Sequence, residues 1–227
     1  MSKIKSFLKK LLKGDSKIGA FIRSVYNNLP FNNRIKKKKH NKVIAKGFIK
    51  NCKINFRGEN NVVEIQNGAI LQNCTLNISG NNNRIVFSEK SFAKYADLCT
   101  EDNGNSITIG KRTNLCGQIH LAAIEGTKIL IGEDCLFSSG IVFRTGDSHS
   151  ILDMDGRRTN PSKDIVIGNH VWVGHRVLVN KGVEIGGDNI IGTAAVVTKS
   201  ILDTNSVIAG IPAKVVKTGI NWDKERK

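Results

Sequence analysis

IVIGNHVWVGHRVLVNKGVEIGGDNIIGTAAVVTKS, residues 165–200, decides the fold. Every sixth position is aliphatic: Ile167, Val173, Val179, Ile185, Ile191 and Val197. Two positions earlier, Ile165, Val171, Val177 and Val183 keep the same count, and glycine follows the first series at Gly168, Gly174, Gly186 and Gly192. A helix repeats every 3.6 residues and a strand every 2, so neither sustains a six-residue beat. A triangular parallel β-helix does, because each flat face consumes one hexad and returns an aliphatic side chain to the same narrow core. The glycine then falls at a corner, where a Cβ would crowd the turn.

Upstream, the hexads pause. They stop after Ile131, Phe137 and Phe143 and restart at Ile165, leaving RTGDSHSILDMDGRRTNPSKD (Arg144–Asp164) as a polar, turn-rich insert. A solenoid can expel such a stretch without disturbing its stack, and long loops of this composition tend to carry function. Further upstream the period lengthens: Val63, Ile85, Ile107 and Ile129 are 22 apart, as are Ile65, Phe87, Ile109 and Ile131. The runs beginning Gly58-Glu-Asn-Asn and Gly80-Asn-Asn-Asn read as turns that tolerate left-handed backbone. The early coils are therefore expected to be 18-residue triangles with short added loops, and the whole stack to form one solenoid with covered ends.

The net charge of +16 is unevenly placed. Residues 1–46 hold 14 Lys or Arg against one acid, Asp15; the remaining 21 bases and 18 acids leave the body at +3. Ile4, Phe7, Leu8, Leu11 and Leu12 fall at helical spacing with Lys3, Lys5, Lys9, Lys10 and Lys13 opposite them. Gly14 closes that amphipathic segment, and a second helix is expected from about Lys17 to Asn28, before Pro30 and the run RIKKKKH at 34–40. Two uses of residues 1–46 stand open: peripheral contact with an anionic membrane, at roughly 1 kcal/mol per basic residue near the surface, or packing as a cap. Nucleic acid is not expected, since no aromatic residues interleave the lysines. The five cysteines, Cys52, Cys74, Cys99, Cys116 and Cys135, show no CxxC pairing and read as small core residues in a reducing compartment. With no transmembrane-length apolar run and no signal-peptide core, the expected location is cytoplasmic, with membrane contact confined to the inner face.

The hexads, VWVG at 171–174, VVTKS at 196–200 and AGIPAKVVK at 209–217 resemble the left-handed β-helix acyltransferases of the hexapeptide-repeat superfamily. TGDSHSI at 145–151, NPSKD at 160–164 and GINWD at 219–223 are most similar to the bacterial O-acetyltransferases of capsular and lipopolysaccharide sugars. The resemblance spans roughly 55–223 and implies an all-β chain, a left-handed parallel β-helix with a short α-helical N-terminal segment. Together with the basic N-terminal residues, it gives an expected division into a basic helical segment (1–46), a β-helix (47–204) with an active-site loop (144–164), and a C-terminal tail (205–227). It also implies acetyl-CoA as co-substrate, a carbohydrate acceptor, and a homotrimer with active sites between neighbouring subunits.

By the same resemblance His149 is the catalytic base. An imidazole can take the proton of a sugar hydroxyl as its oxygen attacks the thioester, a contribution of about 10²–10⁴-fold. Asp147 and Asp164 are candidate orienters of the ring, with a backbone carbonyl as the alternative. Asn114 is the candidate contact to acceptor or oxyanion. Arg144, Ser148 and Trp172 are candidate acceptor-binding residues, although Trp172 would equally serve to cover a subunit interface. Gly174, Gly192, Thr193 and Ala194 are expected beside the pantetheine arm of CoA. Lys199 and Lys214 are expected near its phosphates, or else on a solvated face.

Rival readings differ in chemistry. The γ-class carbonic anhydrases share the solenoid and hold zinc by three histidines, and this chain carries His120, His149, His170 and His175. The IPAKV tail and the DSH loop have no part in a hydratase, so no metal is expected. The alternatives kept are a small-molecule (antibiotic or amino-sugar) acetyltransferase of the same superfamily, and a non-catalytic scaffold for polysaccharide assembly.

Overall fold

The computed structural model describes residues 17–28, 32–36 and 40–226; the amphipathic segment expected at 3–13 lies outside them. The chain winds as a parallel β-solenoid of about seven coils with three faces. Face A stacks eight strands from Arg34–Lys36 to Val196–Val197, and face B seven, from Lys42–Ala45 to Glu184–Ile185. Face C has nine, from Phe48–Lys50 to the terminal pair Ser206–Gly210 and Ala213–Thr218. Each coil visits A, then B, then C.

The repeats align as their spacing predicts. Val63, Ile85, Ile107 and Ile129 stack in register on face B, and Ile129 pairs with Ile165 across the expelled insert. Ile167, Val173, Val179, Ile185, Ile191 and Val197 all point into one dry core. Phe137 and Phe143 meet within it edge to face at 5.7 Å.

The added residues of the 22-residue coils sit at the A/B corner and build a buried polar ladder. The Asn41 Oδ1 accepts from the Asn61 amide at 3.0 Å, Asn61 from Asn83 at 2.9 Å, Asn83 from Asn105 at 2.8 Å, and Asn105 from Thr127 at 3.1 Å. Each rung satisfies a backbone N–H that the turn withdraws from the sheets. Asn60 and Asn82 adopt the left-handed conformation expected of these turns, at φ 57° and 59°. The ladder ends at Thr145, whose Oγ1 lies 2.6 Å from the Thr127 hydroxyl. From there the 145–164 loop leaves the stack. It is the same corner turn, enlarged.

The expected boundaries shift at both ends. Strands Arg34–Lys36 and Lys42–Ala45 already belong to faces A and B, so the solenoid starts before residue 47. At the other end Ser206–Gly210 continues face C in parallel, and Ala213–Thr218 folds back antiparallel upon it through a cis Ile211–Pro212 turn. The tail is thus the last strand pair of the stack and covers its edge. Helix α1 (Lys17–Asn28) covers the other end. Its Asn27 donates to the Gly47 carbonyl and accepts from the Ile49 amide, both at 2.9 Å, while Tyr26 packs on Phe48 at 4.8 Å. Packing as a cap is therefore one role of residues 17–28; Ile18, Phe21 and Val25 remain exposed on the opposite side.

Among the cysteines, Cys52, Cys74 and Cys135 are core residues as expected, whereas Cys99 is half-buried and Cys116 exposed, because both sit at positions that face away from the core. No helix among the described residues is long and apolar enough to cross a membrane.

Candidate active site

The 145–164 loop is a small hairpin, closed by an antiparallel bridge between Leu152 and Arg158 and by a hydrogen bond from the Thr159 amide to the Ile151 carbonyl at 2.8 Å. Asn160, only 7% exposed, ties it together. Its Oδ1 accepts from the Ile151 amide at 2.7 Å and from Arg158 Nε at 3.3 Å. Its Nδ2 donates to Asp147 Oδ2 and to the His149 carbonyl, each at 2.8 Å. One amide side chain therefore holds the His149 carbonyl, the Ile151 amide and the Asp147 carboxylate together.

Two ion pairs anchor this knot to the solenoid. Lys181, on the coil beyond, donates to Asp147 and also to the Asn160 carbonyl at 3.0 Å. Lys181, and then Asn160, hold the Asp147 carboxyl below the usual carboxylate range. Glu125 does the same from the preceding coil: it pairs with Arg158 at 2.8 Å and accepts from the Ser162 hydroxyl at 2.8 Å. Arg158 foremost, with Ser162, lowers the Glu125 carboxyl. At Gly146 an added Cβ would require the Ser162 and Ile124 side chains to move.

His149 stands exposed on the ascending arm of the loop, and no described residue bonds its ring. Asp147 does not orient that ring, because its carboxylate is committed to Lys181 and Asn160. Asp164 is committed too, accepting from the Lys128 amide at 2.8 Å. Both acids position the loop. Beneath it, on face A, lies a groove of about 490 Å³ lined by Arg144, Gly146, Asp147, Leu178, Lys181 and Thr198, among others. Arg144 donates to the Ser148 hydroxyl at 2.8 Å, so these two candidates meet at its edge.

The other candidates lie elsewhere. Asn114 is on face C, in the column Phe92–Asn114–Leu136–Trp172, remote in the chain's own geometry from the loop at the A/B corner. Trp172 is 40% exposed in that column, 6.1 Å from Trp222. Trp222, from the GINWD tail, is buried; it stacks on His170 at 4.3 Å and donates to the His170 carbonyl at 2.9 Å. His170 also meets Asp188 at 2.9 Å. Among the described residues no three histidines converge within the chain.

Gly174, Gly192, Thr193 and Ala194 come together at the C/A corner. A Cβ on Gly174 would lie 2.7 Å from the Ile191 carbonyl oxygen and 2.9 Å from the Thr193 nitrogen. A Cβ on Gly192 would lie 3.2 Å from the Ala209 Cβ. Stacking of successive coils thus accounts for both glycines, and the chain itself fills the space that their missing side chains leave. Lys214 pairs with Ala209 at the same end of the molecule. Lys199 does not join them: the Val179–Val197 pairing sets it one coil beyond Lys181, at the A/B corner near the groove. Asn160 and Lys181 escaped the sequence reading. The NPSKD motif pointed at the former, but nothing local pairs Lys181 with an aspartate 34 residues before it.

No protein-family model matches the chain. A polysialic acid O-acetyltransferase of Escherichia coli O1:K1 / APEC is 32% identical over 122 residues, covering 53% of this chain and 39% of that protein. The chain spans about half the length, or less, of the curated relatives it matches first. Among solved structures, the polySia-specific acetyltransferase NeuO superposes with a TM-score of 0.73 at 30% identity, covering 86% of this chain and 87% of that one. The polysialic acid O-acetyltransferase OatWY superposes with a TM-score of 0.68 at 31% identity, covering 86% and 90%.

Proposed function

The chain belongs to the hexapeptide-repeat β-helix acetyltransferase family, and on that premise we propose that it transfers acetyl from acetyl-CoA to a hydroxyl of a bacterial capsular or lipopolysaccharide sugar. The observation that carries this reading is the Asn160 knot, which ties the carbonyl of an exposed His149 to the Ile151 amide and to the Asp147 side chain. A solenoid has no structural use for such an excursion. A transferase does, because direct transfer between two bound substrates depends on holding the base in one place.

In the proposed step the His149 imidazole accepts the acceptor's hydroxyl proton as the sugar oxygen attacks the thioester carbonyl. The carbon–sulfur bond breaks, and the imidazolium returns the proton to the departing thiolate. Arg144 and Ser148 at the edge of the groove supply hydrogen bonds suited to a polar, anionic sugar. Lys199 beside the groove serves the acceptor on this reading, and Lys214 with the C/A corner serves the nucleotide end of CoA.

The same reading makes the molecule a homotrimer whose active site is completed between subunits. Its support is the loop tip, where Ile151, Leu152 and Met154 are 58%, 57% and 102% exposed. Such a cluster next to a charged hairpin is suited to burial against a second chain.

The test is acetyl-CoA-dependent thiol release with a panel of oligosialic acids, lipopolysaccharide oligosaccharides, free sugars and chloramphenicol, the product identified by mass spectrometry. An alkali-labile acetyl ester on a surface glycan is expected. Acetylation of chloramphenicol alone, or of no sugar despite CoA binding, would overturn the acceptor assignment.

A further inference from the structure

Face A carries a second cluster that neither the loop nor the core explains. Asp97 and Cys99 stand two residues apart on the strand Ala96–Glu101, so both project from the same side. His120, on Ile119–Ile124, is the register partner of Asp97 one coil on. Coil stacking thereby gathers a carboxylate, a thiol and an imidazole whose donor atoms all lie within 4.8 Å of one another. The His120 Nδ1 is 3.0 Å from Asp97 Oδ2, and Cys99 Sγ is 3.7 Å from Asp97 Oδ1.

Packing accounts for the buried cysteines but not for this one. Cys52 and Cys74 form a rung-like pair in the core, with the Cys74 amide donating to Cys52 Sγ at 3.4 Å. Cys99 instead faces outward, between Asn77 and Ala122. Metal–ligand lengths of about 2.0–2.3 Å put tetrahedral donors roughly 3.4–3.8 Å apart. On this rigid sheet the Cys99–Asp97 separation of 3.7 Å falls within that range and the His120–Asp97 separation of 3.0 Å lies just below it. Mixed N, S and O donors suit a borderline cation of the zinc type and exclude magnesium or calcium, which take oxygen. A cavity of about 260 Å³ lined by Tyr95, Gln118, His120 and Val142 adjoins the cluster.

We infer that Asp97, Cys99 and His120 form a binding site for a zinc-type divalent cation, with a fourth coordination position open to that cavity for water or another oxygen ligand. Three protein ligands with one open position is the arrangement of exchangeable sites, not of closed structural ones. Binding would exchange the Cys99 thiol proton for the cation. The site shares Val142 with the groove under the loop but is independent of the acetyl-transfer reading.

Titration of the full chain with Co²⁺, a spectroscopic stand-in for Zn²⁺, tests it. The expected result is one equivalent bound, with sulfur-to-cobalt charge transfer and tetrahedral visible bands that Zn²⁺ abolishes. Cys99→Ser should remove the charge-transfer band, and His120→Asn should weaken binding by more than about 100-fold, beyond the 10–100-fold of outer-shell changes. Cys116→Ser should change neither. Circular dichroism of each variant verifies the fold. Absence of binding at millimolar Co²⁺, bands that survive Cys99→Ser, or bands lost in Cys116→Ser would each overturn the assignment.

Discussion

Asn160→Ala should unlock the 145–164 loop while leaving the solenoid standing. The substitution deletes the bonds to Asp147 and the His149 carbonyl at 2.8 Å, the bond from the Ile151 amide at 2.7 Å, and a weaker one from Arg158 at 3.3 Å. Two of the partners are backbone groups, worth about 1 kcal/mol each, and the carboxylate bond adds about 1–2 kcal/mol, less what water restores at this partly exposed pair. A loss of about 2–3 kcal/mol confined to the loop is a factor of roughly 30–150 in its opening equilibrium. Amide hydrogen exchange at Ile151 and Thr159 should accelerate by that factor, and kcat should fall with it. The melting temperature should scarcely move, because none of these bonds belongs to the core. Asn160→Asp should be no better than alanine, since it keeps the acceptor for the Ile151 amide but faces a second carboxylate toward Asp147. Unchanged exchange at Ile151, or a drop in melting temperature that matches the loss of activity, would refute this account of Asn160.

Gly174→Ala should lower the melting temperature by about 2–10 °C, from an overpacking cost of about 1–3 kcal/mol against the Ile191 carbonyl. A raised KM for acetyl-CoA with no thermal shift would mean that the glycine serves the donor instead. Acidification gives a signed prediction. The carboxyls of Asp147 and Glu125 are depressed by their partners, so the anchoring they provide is complete above about pH 4–5 and lost as pH falls through the lowered values. NMR titration of the Asn160 side-chain amide should show the knot intact at pH 6 and released only below about pH 4; release near neutrality would contradict the ion-pair assignment. Met154→Asp should shift the sedimentation coefficient from trimer toward monomer, whereas an unchanged trimer would show that the loop tip lies outside the interface.

The repeating parts of this molecule were legible because a solenoid writes its geometry into sequence one hexad at a time. Ile129 and Ile165 pair across the insert because the apolar count resumes in phase. Helix α1 matches the bounds, Lys17 to Asn28, expected between Gly14 and Pro30. Position within the stack was harder to read. Arg34–Lys36 reads as part of a charge run but pairs with Lys53–Asn55, since an edge strand buries only alternate residues against one neighbour. The tail misled for a similar reason, being a strand pair that only its partner on face C defines.

The loop was legible as a loop, but its internal hydrogen bonding was not. Asp147 looked like a partner for the histidine two residues away and is instead bound to Lys181. Pairing across coils depends on register, which the insert hides. The Asp97–Cys99–His120 cluster was invisible for the same reason: its members are ordinary residues until a 22-residue coil and one extra position bring His120 opposite Asp97.

The most direct test of the central claim is the turnover of His149→Ala with acetyl-CoA and a responsive glycan, measured beside CoA affinity and the melting temperature. The account predicts a fall of at least about 100-fold in kcat, the lower end of a general base's contribution, with CoA affinity and stability unchanged. A fall of less than about tenfold with the fold intact would contradict it.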